Sequence, residues 1–324
     1  DIRRIGLHRL SRSKWAILRY FLTLPREVYS LYRILKDENI EIVHCNSSRQ
    51  LKGVMAGRLA GKKVIWHLND TLAPLMIKVL FYATALMATH FITAGERVRK
   101  YYLNRFPLNR KPVKIIQSPV DTSYFNPELV ESDKRLASDP FPKIVSVGNV
   151  NPAKGFEYFI QAAQYLNTHK TNPKFCIVGP LFDSQKSYHS RLQATIDTWE
   201  LNNLEFYGSS DNVREVLKSA DIYVCSSVHE ASPISVWEAM AMGKAIVTTD
   251  VGDVKQFIQD GENGFVVPTK DPKALAEKIE ILLSDVKLRE AFGAKARATA
   301  VKHLDISVCV QKHAEFYRQI LQEH

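Results

Sequence analysis

The chain has 324 residues, 45% of them hydrophobic and 24% charged, with four cysteines and a net charge of +10. This composition is globular and excludes a disordered, collagenous or low-complexity chain, and the length suits two domains of ordinary size. No run reaches the ~18 uncharged apolar residues of a membrane-spanning helix. Cys45, Cys176, Cys225 and Cys309 form no C-x-x-C pair, which argues for small buried thiols in a reducing compartment and against a structural zinc or a disulfide framework.

Charge is unevenly spread. Residues 1–138 hold 24 Lys and Arg against 11 Asp and Glu, whereas the remainder holds 20 against 23. A basic half beside a nearly neutral one suggests that the first half meets a polyanion or an anionic membrane.

In chain order, Lys14–Leu35 reads KWAILRYFLTLPREVYSLYRIL. This stretch is basic, aromatic and amphipathic, and Pro25 is expected to start a second helix within it. It suits an anionic membrane surface, the alternative being a surface helix packed on its own domain. Strands are expected at Ile40–Cys45, Lys63–His67, His90–Thr93 and Val113–Gln117. Val79–Thr89 reads as a buried helix. A polar segment with two prolines, Asn126–Phe141, reads as the linker. Beyond it, Lys143–Val147, Lys174–Val178, Leu204–Tyr207, Ile222–Cys225, Ala245–Thr248 and Gly264–Val267 read as strands. Helical patterns at Leu51–Ala60, Phe156–Leu166, Val213–Lys218 and Pro272–Leu283 fall between them. Apolar strands alternating with helices imply two parallel sheets of β-α-β units. The domains are placed at 1–138 and 139–306, with a closing helix over 307–324.

Two stretches carry chemistry. In SVGNVNPAKGFEYFIQAAQYL a strand runs into Gly148 and Asn149, then a loop, Lys154-Gly155 and a helix. Backbone N–H groups and a lysine in such a turn can cradle phosphate. Alone this is weak, since it is neither the P-loop pattern nor G-x-G-x-x-G. In the second stretch a strand ends at Cys225-Ser226-Ser227, a loop carries Glu230, Ala231, Ser232 and Pro233, and a helix starts near Ile234 with Glu238 one turn inside. A helix N-terminus favours anions. Carboxylates beside it suit vicinal hydroxyls, because each accepts two hydrogen bonds. Diphosphate at a helix end with carboxylates for sugar and ribose describes a nucleotide-sugar. The plainer alternatives are helix-end capping for Glu238 and a solvated loop acid for Glu230.

G-N-x4-K-G before a helix, then E-x7-E and A-M-A-x-G-K-A-I-V-T-T-D-x-G, resembles the retaining GT-B glycosyltransferases of family 4. The likeness spans residues 141–320 and continues more faintly through Ile40–His44, Val64–His67 and Gln117–Asp121. It implies an α/β GT-B fold of two Rossmann-like domains facing across a cleft: an acceptor-side domain first, a donor-binding domain second, and a last helix crossing back. By position, Lys154 would bind the donor diphosphate and Glu238 the ribose. Glu230 would contact the transferred sugar, with Ser232–Ile234 closing on sugar and phosphate. His67 matches the histidine that faces the reacting sugar. The implied reaction is hexosyl transfer, with UDP-glucose the leading donor, onto a carbohydrate or lipid-linked acceptor in polysaccharide or glycolipid synthesis. Retention, by front-face attack, is implied by the family alone.

The sequence departs from the family twice. Asn149 stands where an arginine is common, so Lys154 carries more of the clamp or a cation such as Arg214 enters. The family's opening strand and glycine-rich loop do not follow Asp1, so a first β-α-β segment is expected to precede this sequence. No D-x-D occurs, and we expect neither metal nor cofactor, with Lys154 and a helix end stabilising the leaving diphosphate. A cytoplasmic enzyme, peripheral at the inner membrane face, fits these features. The alternatives are a non-catalytic nucleotide-binding member and a sugar-nucleotide epimerase of the same fold. A nucleic-acid-binding protein is disfavoured, because no nucleic-acid motif accompanies the basic charge.

Overall fold

The computed structural model describes residues 7–8, 14–168 and 170–323, so the expectation about the segment at Asp1–Ile5 lies outside them. The chain forms two compact units, Asp1–Ile116 with Lys312–His324, and Gln117–Gln311.

The first unit runs α1 (Lys14–Asp37), β1 (Ile42–Asn46), α2 (Leu51–Leu59), β2 (Lys63–Leu68), α3 (Leu75–Thr84), β3 (His90–Thr93), α4 (Glu96–Leu103) and β4 (Val113–Ile115). Its four strands among the described residues are parallel and in sequential order. Helix α2 lies close on β1 and β2: a Cβ on Gly53 would sit 2.7 Å from Cys45 Sγ, and one on Gly57 2.7 Å from Val64 Cγ2. It ends in a Schellman motif, with Gly61 at φ +70° and Lys62 N–H donating to Gly57 O at 2.9 Å.

Helix α1 is continuous across Pro25, against the expected break. Proline removes one N–H and clashes with the preceding turn, but Tyr20 and Val28, on either side of it, are both buried and hold the helix to the unit. The run Val79–Thr89 is not one buried helix either. Helix α3 stops at Thr84, buries Ile77 and Phe81, and leaves Leu75 and Val79 exposed.

The second unit comprises α5 (Lys134–Ala137), β5 (Lys143–Val147), α6 (Phe156–Tyr165), β6 (Lys174–Val178), α7 (Lys186–Thr198), β7 (Leu204–Gly208), α8 (Val213–Ser219), β8 (Ile222–Cys225), α9 (Ile234–Ala241), β9 (Ala245–Thr249), α10 (Val254–Phe257), β10 (Phe265–Val267), α11 (Pro272–Ser284), α12 (Val286–His303) and the start of α13 (Ile306–Gln322). Its six parallel strands are ordered β10-β9-β8-β5-β6-β7. Strand β8 shows why the sequence reads as a continuous apolar run. Ile222 and Val224 face the core of α6, α7 and α11, while Tyr223 and Cys225 face that of α9 and α12. Alternate residues point to opposite faces, and helices cover both.

The boundary between the units falls between Ile116 and Gln117, not at residue 138, and Asn126–Phe141 is no linker. Phe125 and Leu136 are buried in second-unit cores. The Asp133 side chain caps α5, and its backbone N–H donates to Ser219 Oγ. Val120 bridges Asp305. From residue 312 onward α13 counts with the first unit. There Phe316 packs on His90, and Glu323 accepts from His90 Nε2 at 2.8 Å.

Candidate active site

In the second unit the strand order reverses between β5 and β8: the chain steps outward through β6 and β7, then returns to the other side of β5. Ligands of open parallel sheets bind at the carboxyl ends of strands at such a reversal. The loop after β5 carries Gly148, Asn149 and Lys154, and the loop after β8 carries Glu230.

The first loop is built around the lysine. Asn151 Oδ1 accepts from Ala153 N–H at 2.9 Å and starts the short turn Pro152–Lys154. Gly155 follows at φ +61°, and a Cβ there would lie 2.3 Å from Ser226 O, so only glycine lets the two loops meet this closely. A Cβ on Gly148 would sit 2.9 Å from Lys154 Cε; the bare glycine provides the bed for the lysine stem. Asn149 is exposed, and its carbonyl accepts from Asn151 Nδ2.

Lys154 Nζ donates to Glu230 Oε1 at 2.7 Å, and Ser227 Oγ donates to the same oxygen at 2.9 Å. Burial works against the ammonium, yet attraction and hydrogen bonding to Glu230, with Cys225 and Glu238 adding to them, outweigh it and raise its pKa. Val228 N–H donates to Ala153 O and Ser226 Oγ to Lys154 O, so the loops are stitched at both backbone and side chain.

Glu238 projects from the fifth position of α9. Burial pushes its carboxyl up to about 7, opposed only in part by Lys154. It is no helix-end cap: Pro233 is the N-cap, and the Glu238 side chain lies a turn inside. Ser232 Oγ accepts from Ser118 N–H at 3.2 Å and from Trp237 Nε1–H at 3.1 Å. With both lone pairs engaged, the hydroxyl proton is left to donate outward. Ala231 and Pro233 flank it in the turn leading to Ile234, which is exposed at the start of α9. Ser227, Asn151 and Ser118 belong to this site and escaped the motif reading. Asn151 and Ser227 bond within their own loops, whereas Ser118 reaches Ser232, 114 residues along the chain; only the serine pair following the apolar β8 run hinted at one of them. Arg214 does not join Lys154: its guanidinium stacks on Tyr124 at 3.7 Å and bonds Asn212 Oδ1 and Tyr124 O.

His67 lies in the first unit, on β2. Its Nδ1 is 3.3 Å from His44 Nε2, and the His313 ring is 5.8 Å away between centroids. Burial above all, with His44 and His313 adding to it, lowers its pKa to about 4. Among the described residues no group of three or more His, Cys, Asp or Glu is arranged to hold a metal ion.

Two parallel-sheet α/β units, one with a lysine and two carboxylates at its strand-order reversal, are the architecture of a GT-B glycosyltransferase. Residues 130–299 match the family described as Glycosyl transferases group 1, and residues 2–124 match Glycosyltransferase Family 4; the chain belongs to the group 1, family 4 glycosyltransferases. It is 25% identical over 327 residues to the N,N'-diacetylbacillosaminyl-diphospho-undecaprenol alpha-1,3-N-acetylgalactosaminyltransferase of Campylobacter jejuni, covering 94% of this chain and 84% of that one. It is 23% identical over 309 residues to the UDP-Gal:alpha-D-GlcNAc-diphosphoundecaprenol alpha-1,3-galactosyltransferase of Escherichia coli, covering 90% and 79%. Its fold superimposes on a glycosyltransferase from Rickettsia africae with a TM-score of 0.84 at 19% identity, covering 99% and 85%.

Proposed function

We propose that this glycosyltransferase moves a hexose or N-acetylhexosamine from a UDP-sugar to a hydroxyl of a lipid-diphosphate-linked sugar, with retention and without a metal. The observation that carries the donor assignment is the Lys154–Glu230 pair at the β5/β8 reversal, with Glu238 nearby. Lys154 meets the diphosphate as negative charge builds on it in the transition state. Its ammonium has three donors, so it can keep Glu230 while bonding phosphate. Glu230 orients the sugar through its hydroxyls, Glu238 accepts from the ribose diol, and Ser232 donates to phosphate or sugar. Gly148, Asn149 and the turn Ala231–Ile234 line the same donor site. His67 hydrogen-bonds the transferred sugar. The names of the Campylobacter and Escherichia relatives, both acting on diphospho-undecaprenol sugars, support the acceptor class, and the UDP-Gal of the latter supports the base.

Helix α1 supports a peripheral place at the cytoplasmic membrane face. Trp15, Leu18, Leu22 and Tyr29 are exposed at helical spacing, beside Arg19, Arg26 and Arg33. Such a face inserts shallowly into an anionic interface. Replacing the three arginines by glutamine is expected to abolish sedimentation with phosphatidylglycerol vesicles at low salt; undiminished binding would return α1 to an ordinary surface helix.

Calorimetric titration with UDP, GDP and ADP, with and without EDTA, tests the donor. It is followed by transfer from UDP-galactose, UDP-glucose and their N-acetylated forms to an undecaprenyl-diphosphate sugar, with the product anomer read by NMR. Selective UDP binding indifferent to EDTA is the expected result. Binding that requires a divalent ion would overturn the metal-free reading, and an inverted anomer would overturn retention.

A further inference from the structure

Three groups from three elements of the first unit stand in line: His67 on β2, His44 on β1 and Tyr317 on α13. Tyr317 Oη is 2.5 Å from His44 Nδ1, and His44 Nε2 is 3.3 Å from His67 Nδ1. A neutral imidazole has one donor nitrogen and one acceptor nitrogen. The line therefore has two polarities. Either Tyr317 donates, His44 passes the donation on, and the His67 proton sits on Nε2, or every bond is reversed and His67 Nε2 is a bare lone pair. The phenol decides between them. Its O–H is a good donor, its oxygen lone pairs are partly delocalised into the ring, and an imidazole nitrogen is the better acceptor.

We propose that Tyr317 and His44 are positioning residues that hold His67 in its Nε2–H tautomer, so that it offers the sugar a hydrogen-bond donor and not a basic nitrogen. This rests on the reading of His67 as the sugar-facing histidine. The line works only if both rings are neutral. His44 is exposed on β1, yet desolvation of its ring, then His313, lowers its pKa; burial, then His44 and His313, lowers that of His67. The His313 ring lies 6.1 Å from His44 and 5.8 Å from His67 between centroids, close enough to disfavour a charge on either. A donating Nε2–H matches a sugar hydroxyl or ring-substituent oxygen. It also bars His67 from attacking the anomeric carbon through that nitrogen. Tyr317 is 273 residues from His44, and no motif connects them.

The test is long-range 1H–15N correlation of the full chain labelled with 15N-histidine. The wild type is expected to show His67 protonated at Nε2 and bare at Nδ1. In Tyr317→Phe, which keeps the ring, His67 should become a mixture of tautomers, and turnover should fall about tenfold with the donor KM changed less than twofold, as expected for one lost positioning hydrogen bond. A His67 protonated at Nδ1 in the wild type, or a tautomer unmoved in Tyr317→Phe, would overturn the proposal. His67→Ala separates the two layers. Full turnover in that variant sinks the sugar-facing reading and the catalytic consequence with it, whereas the tautomer spectrum judges the hydrogen-bonded line by itself.

Discussion

The lysine–carboxylate cluster of the second unit and the histidine cluster of the first are opposite electrostatic solutions. Around Lys154, burial would discharge the ammonium, but Glu230 at 2.7 Å keeps it charged. Around His67 the neighbours are further imidazoles, and burial and mutual repulsion keep the ring neutral. A fixed cation is what a departing diphosphate needs. A neutral hydrogen-bonding ring is what a sugar hydroxyl needs, since an imidazolium there would oppose a transition state with positive charge on the sugar. The difference is made by the partner beside each half-buried group, because desolvation alone pushes both toward neutrality.

The largest test of this contrast is Lys154→Ala. Turnover is expected to fall about a hundredfold or more, the scale of losing one preorganised donor at a developing anion, while circular dichroism shows the fold intact. Kinetics unchanged from wild type would remove Lys154 from the site and erase the contrast. Gly155→Ala comes next. The left-handed backbone alone costs ~1–2 kcal/mol, and the new Cβ would press on Ser226 O at 2.3 Å, so the melting temperature should drop and UDP affinity with it. An unaltered melt would mean that the two loops are free to part.

Glu238 lies between the extremes. With its folded pKa near 7 and an unfolded value near 4.5, its contribution to stability is present below the unfolded value and is lost as pH rises through about 7. Glu238→Gln should therefore melt higher than wild type at pH 8 and lose that advantage at pH 5. UDP affinity should fall about tenfold in the variant, the size of a hydrogen bond to a charged acceptor. In the wild type, affinity should decline as pH drops below 7 and the carboxylate is protonated. Wild-type affinity in Glu238→Gln would exclude it from the ribose. The smallest effect is a null one for His67. With its pKa near 4 it is neutral throughout pH 5–8 and should impose no inflection there. Its linkage has the opposite sign to that of Glu238, stability being present above about 6.5 and lost as pH falls toward 4. A turnover inflection near pH 6.5 that vanishes in His67→Ala would show that the ring is charged after all.

Much of this was legible in the sequence. The ten strands among the described residues follow from short apolar runs, most plainly β3, β8 and β9, which are buried along their whole length, because strands covered on both faces must be apolar on both. Glycine and lysine spacing placed Gly148, Lys154 and Gly155 in one turn, and E-x7-E placed Glu230 before a helix and Glu238 inside it. These are local facts: a strand, a turn and the helix behind it lie within some twenty residues, and their side chains have few ways to point. The unit boundary was not legible. Residues 126–141 are polar and carry prolines like a linker, yet Asp133 and Leu136 among them are held by residues far along the chain. Nor was the single helix through Pro25, where burial on either side outweighs the local cost of proline. Sequence alone determined the layered α/β plan and the identity of the charged groups. Tertiary structure decided that Lys154 pairs with Glu230, that burial raises the Glu238 pKa, and that Tyr317 reaches His44. Those outcomes depend on distance and on exclusion of water, which are set only when segments far apart in the chain close on one another, 76 residues for Lys154 and Glu230 and 273 for His44 and Tyr317.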